Sequence, residues 1–155
     1  GEIERYVGNF ALAREIQAEG LELSRRTGEM RRVAMMTHNL GWLAHNTGDN
    51  PTADRLMREA LDLAVEYEFI SLVAEALIGL AALTATRGNY EIAARLIGFA
   101  DDQFARMGAR AQMVDDADHV RTRNRVSEHL GAERYRMLIV EGAALELEGA
   151  LDLLR

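Results

Sequence analysis

Few residues in this chain are placed to do chemistry. His38 and His45 stand seven residues apart, a spacing that returns to the same side of a helix. Two imidazoles so spaced could begin a zinc site, but zinc would need further ligands from elsewhere and the chain has no cysteine. The plainer reading is a pair of surface histidines on one helix. Trp42, the only tryptophan, lies between them and is either a core filler or a binding anchor. Asp115, Asp118 and His119 share a second helix face, and carboxylate with imidazole is a common ligand set. The competing reading is that Asp115 and Asp116 lie in the first turns of a helix and offset its macrodipole. Arg121, Arg123 and Arg125 could meet an anion, yet at about 100° per residue only Arg121 and Arg125 share a face. Local ion pairs, to Glu128 among others, are the expected alternative.

Nucleophilic and phosphate chemistry find less support. Ser24, Ser71 and Ser127 are the only serines, and none sits in a Gly-x-Ser-x-Gly turn. A phosphate loop of the Gly-Lys type is excluded because all 18 basic residues are arginine. No Gly-x-Gly-x-x-Gly occurs. The sequence therefore predicts a protein that is not an enzyme and takes no cofactor or resident metal.

Composition narrows the class further. The chain has 155 residues, 48% hydrophobic and 28% charged, a size and balance that suit one soluble domain with its own core. Acidic residues outnumber basic ones by 25 to 18, for a net charge of -7, so counterion release would do little for nucleic-acid binding. No apolar run approaches the ~20 residues that span a bilayer, and Gly1 to Gly20 lacks the basic and apolar pattern of a secretory signal. A cytoplasmic location without membrane or direct nucleic-acid contact is expected. The seven methionines are expected to fill core gaps.

The elements that must position these residues emerge from an internal repeat. Gly8-Asn9-Phe10-Ala11-Leu12-Ala13, Gly48-Asp49-Asn50-Pro51-Thr52-Ala53 and Gly88-Asn89-Tyr90-Glu91-Ile92-Ala93 align without gaps at a spacing of 40. Ile16, Leu56 and Leu96 continue the register, as do Gly20, Ala60 and Ala100; upstream, Gly1, Gly41 and Ala81 correspond. Each glycine can close a helix in the left-handed conformation. The Asn or Asp after it can cap the next helix, and Pro51 falls in a first turn, where its missing N–H costs nothing. Apolar residues recur at helical spacing, as in Leu72, Ala76, Leu80 and Leu83, and no segment alternates as a strand would. Helices are predicted near 9–26, 30–47, 51–68, 70–87, 90–108, 112–130, 133–142 and 146–154. Ala53 and Ala93 are expected to be buried where helices meet.

This pattern resembles the tetratricopeptide repeat. Leu40-Gly41, Ala53 and Ala60 match its signature, as do Leu80-Ala81, Ala93 and Ala100. Thr37, Ala44 and Val65 stand where that repeat usually has tryptophan, tyrosine and proline, and the spacing of 40 exceeds the usual ~34. HEAT-type helical repeats, with periods near ~40, are the competing fold. The later segments Ala94-Arg95-Leu96-Ile97-Gly98-Phe99-Ala100, Leu130-Gly131, Glu141-Gly142 and Glu148-Gly149-Ala150-Leu151 resemble the end of the helical-repeat region in large bacterial signal-transduction ATPases and LuxR-type transcriptional regulators.

The resemblance implies an all-α, tetratricopeptide-like solenoid of about three repeats of period 40 plus C-terminal helices. The repeats would occupy 1–111 and the packed tail helices 112–155. It also implies a concave groove, onto whose positions Met35, His38, Trp42, His45 and Asn46 fall in the middle unit. Glu75, Ile78, Ala82, Ala85 and Thr86 fall there in the third, and Glu2, Arg5 and Tyr6 in the first. The implied function is non-catalytic: binding a protein partner, another domain of the same full-length chain, another copy or a small-molecule effector, within a multidomain transcriptional regulator. A sensor pocket formed by the groove and the tail helices is the alternative. Gly1 aligns with the middle of a repeat helix, so the chain is expected to be a fragment whose first unit is cut short. Leu12, Ile16 and Leu23 should then be left exposed and favour self-association.

Overall fold

A computed structural model describes the backbone of residues 2–108 and 117–155, with side chains from residue 9 onward. The described residues form helices joined by turns, without a strand. In chain order these are α1 (Glu2–Thr27), α2 (Met30–Asn46), α3 (Asn50–Glu66), α4 (Ile70–Thr86), α5 (Tyr90–Arg106), α6 (Ala117–Leu130), α7 (Ala132–Ala143) and α8 (Leu147–Asp152). The all-α expectation holds, and the architecture is consistent with a helical repeat. The helix expected over 112–130 is described from Ala117 onward.

The turns set a shorter period than the sequence suggested. Positive φ occurs at Gly28, Gly48, Glu68, Gly88 and Gly108, one position every 20 residues. Between these turns α2, α3, α4 and α5 are each 17 residues long. The turn chemistry recurs too. Asp49 N–H donates to the Ala44 carbonyl at 2.9 Å, Phe69 N–H to Ala64 at 2.8 Å and Asn89 N–H to Thr84 at 3.0 Å. Each is the outer bond of a Schellman motif, which satisfies carbonyls orphaned at a helix end. The unit is therefore one helix and one three-residue turn, and the spacing of 40 is two such units.

One turn expected from the sequence is absent. Gly8 and Asn9 lie inside α1, which runs unbroken to Thr27. A glycine permits the left-handed turn but does not impose it, and inside a helix it costs only ~1 kcal/mol. The capping expectation holds at Asp49, whose carboxylate accepts from Thr52 N–H at 3.3 Å, while Asn89 makes no side-chain cap.

The chain divides into two compact units, Gly1–Leu72 and Val73–Arg155. In the first, α2 packs against α1 and α3. Ala53, Met57 and Ala64 of α3 are fully buried, and Gly41 of α2 lies against the Met57 side chain. Thr37 is fully buried at the position that Met57, Leu77 and Ile97 occupy in the following helices. In the second unit α5 is the centre, contacting α6, α7 and α8. Ala93, Ala94, Leu96, Ile97 and Ala100 are at 0% exposure, which meets the expectation for Ala93. Arg123 of α6 pairs with Asp101, and His129 stacks on Tyr90 with centroids 3.6 Å apart, so α6 runs back along α5. Arg134, at the start of α7, pairs with Glu91, at the start of α5, at 2.8 Å. These two helices then cross where Gly98 meets the backbone of Ile139 and Gly142 meets that of Arg95. Arg95 and Glu141 bridge the crossing at 2.9 Å. Burial raises the Tyr135 phenol pKa above its ordinary range, the Asp101 carboxylate adds to this, and Arg123 opposes it.

Candidate functional site

The groove positions separate into buried and half-open sets. His38 and Trp42 are one helical turn apart on α2 and buried, at 5% and 8% exposure. Trp42 Nε1–H donates to His38 Nε2 at 3.1 Å, with the rings edge to face. Indole nitrogen only donates, so His38 Nε2 accepts and the imidazole carries its proton on Nδ1. Trp42 also meets the His45 ring edge to face at 5.7 Å, and His45 Nδ1 lies 3.2 Å from Asn50 Oδ1. The reading of two surface histidines is corrected at His38, because its partner Trp42 belongs to the interior. The residues that could form an open lining in this unit are Met35, at 38% exposure, with His45 and Asn46 half-buried. In the second unit Glu75 is half-buried, while Ile78 is fully buried and offers no surface to a ligand. The side chains of Glu2, Arg5 and Tyr6 lie outside the described residues.

In the second histidine cluster the described members Asp118 and His119 have different neighbours. His119 turns inward against the Phe104 ring, whereas Asp118 pairs with Arg121. Consecutive residues on a helix point about 100° apart, which separates the two. Asp115 lies outside the described residues, as does Met113. Among the described residues no group of three His, Asp or Glu side chains is arranged to hold a metal ion. The arginine row is locally paired, with Asp118 for Arg121, Asp101 for Arg123 and the Thr86 hydroxyl, at 3.2 Å, for Arg125, in place of Glu128. The core expectation for methionine holds for Met57 and fails for Met35, Met107 and Met137, which are exposed.

Sequence reasoning missed a cluster at the start of α2 and α4. Arg31 lies over the Phe69 ring, 5.5 Å from its centroid, and its Nη2 donates to Ser71 Oγ at 3.1 Å. Tyr67 stacks on Phe69 at 5.8 Å with an interplanar angle of 14°. Arg31 and Ser71 are 40 residues apart, equivalent positions two helices on. That register was available in the sequence, but the pairing of a first-turn arginine with a turn aromatic was not.

An open apolar row is the other surface feature. Leu12, Ile16 and Leu23 follow one side of α1 and are exposed by 56%, 58% and 59%. No helix among the described residues is long and apolar enough to cross a membrane. No protein-family model, curated protein or solved structure matches the chain.

Proposed function

We propose that this chain is a non-catalytic, tetratricopeptide-like segment that binds a protein partner within a multidomain bacterial transcriptional regulator. The observation that carries the reading is the row of Leu12, Ile16 and Leu23. Three 20-residue units later the same register positions are Leu72, Ala76 and Leu83, all 5% exposed or less. A face that the repeat covers in α4 is thus open in α1. Helical repeats bury such faces on neighbouring units, so apolar residues left exposed along one mark a contact surface. The occupant is another domain of the full-length chain, a partner protein or a second copy.

Sedimentation velocity across a wide concentration range tests this with the chain alone and with the domains that adjoin it. Association that Ile16→Glu abolishes, without loss of helix content, is the expected result. A species that stays monomeric and binds no adjoining domain counts against the reading. A phosphate-loop motif or a helix-turn-helix in the adjoining sequence supports the regulator assignment, and neither being present removes it.

A further inference from the structure

We propose that the edge built from Arg31, Phe69 and Ser71 is a docking site for an acidic, apolar peptide segment of a protein partner. The proposal rests on the protein-interaction reading and places a site on residues outside α1. Its basis is how the arginine is held. The guanidinium lies over Phe69, whose ring is itself backed by Tyr67, and one nitrogen is tied to Ser71. Guanidinium has five N–H donors, so a single bond to a hydroxyl leaves most of them to offer. Arginines close by in sequence are met by carboxylates: Arg25 by Glu59, Arg26 by Glu22 and Arg32 by Glu29. Arg31 has no carboxylate partner among the described residues, in a chain with 25 acidic residues to supply one.

A guanidinium held in this way, with no carboxylate partner among the described residues, is complementary to a carboxylate from outside, which it can take through two parallel bonds. Because stacking already fixes the side chain, less rotamer freedom is lost on binding. The surroundings add an apolar requirement. Ile70 is 52% exposed, Tyr67 44% and Met35 38%. Aromatic, methionine and arginine side chains together are the composition enriched in protein-binding patches. A cation without a carboxylate partner among the described residues, beside apolar surface on a chain of net charge -7, favours a peptide over a nucleic acid.

The test selects short random peptides on the intact chain by display. The enriched sequences are then titrated calorimetrically against the wild type, Arg31→Gln, Arg31→Lys and Ile16→Glu. Enriched peptides should carry Asp or Glu beside a large apolar residue. Their affinity should fall by about tenfold or more in Arg31→Gln, a hot-spot loss, with Arg31→Lys between. Ile16→Glu should leave it unchanged. Circular dichroism of the Arg31 variants checks that the fold persists, and the lysine variant keeps the test open if glutamine disturbs it. Peptides without acidic residues, or bound equally by Arg31→Gln, overturn the site. Binding lost only in Ile16→Glu moves the contact to α1 and leaves the interaction reading standing. Self-association that depends on Arg31 assigns the edge to a second copy and overturns the peptide. Failure to enrich any peptide overturns this site, whereas the interaction reading falls only if sedimentation also shows no association.

Discussion

The two compact units bring helices together through glycine in different ways. In the first unit a Cβ on Gly41 would lie 2.8 Å from Met57 Cγ, an atom of a flexible side chain, and 3.4 Å from the Met57 backbone nitrogen. In the second, a Cβ on Gly98 would lie 2.2 Å from the Ile139 carbonyl oxygen, and one on Gly142 would lie 2.0 Å from that of Arg95. A side chain can change rotamer, but a carbonyl moves only with its helix. The same residue type therefore makes room for the stem of a buried side chain in one unit and for a neighbouring backbone in the other. The second unit uses the requirement twice at one crossing, and it flanks that crossing with the Arg95–Glu141 pair.

Alanine at Gly98 or Gly142 should give the largest effect. The α5 and α7 backbones must separate, and the loss should reach or exceed the ~3 kcal/mol upper end of ordinary overpacking, after the ~1 kcal/mol helix-propensity gain of alanine. Gly41→Ala carries the same propensity gain against a clash with the stem of the buried Met57 side chain, so a net loss of about 1–2 kcal/mol, below that at Gly98, is expected. Urea denaturation of the three variants checks both. Equal losses at Gly41 and Gly98 would break the comparison, because backbone contact would then be no costlier than side-chain contact.

This difference shows what could be read from residues alone. Helix existence was legible, since apolar spacing and glycine punctuation are local signals, and Ala53 and Ala93 fell in the core as their repeat positions implied. The period was only half legible. Gly28, Gly48, Gly88 and Gly108 mark it, but Glu68 fills the middle turn, so the spacing of 40 stood out and that of 20 did not. The groove was less legible. Its positions came from a resemblance, and burial of His38 and Trp42 depends on neighbouring helices that no local signal describes. Gly98 and Gly142 were visible only as parts of a motif, because a backbone crossing leaves no mark beyond a small residue.

The turns sharpen the comparison by a smaller amount. Gly88 in the second unit takes φ 85°, whereas Glu68 in the first takes φ 57° with a side chain in place. A left-handed non-glycine residue costs about 1–2 kcal/mol, and glycine returns part of this through its freer unfolded chain. Glu68→Gly should therefore stabilise by about 1 kcal/mol. Gly88→Glu should destabilise by a similar amount. A Glu68→Gly variant that melts no higher than the wild type would show that Glu68 makes a compensating contact.

The helix starts carry the smallest expected difference, and its size depends on pH. Asp49 caps α3 in the first unit, while Asn89 at the start of α5 makes no side-chain cap. A hydrogen bond from the Thr52 side chain, then one from its backbone N–H, holds the Asp49 carboxyl below its ordinary value of 3.8. A depressed folded value means the unfolded chain binds the proton more readily. The cap's contribution is thus fully present above the unfolded value of about 4 and is lost as pH falls through the lower folded value. At pH 7 the wild type should melt above Asp49→Ala, and the gap should narrow steadily below pH 4. Asn89→Ala should show a smaller gap with no such narrowing, since an amide does not titrate. A gap at Asp49 that stayed constant from pH 7 to pH 2 would mean that the ionised cap contributes nothing, and the two units would differ at their helix starts in geometry alone.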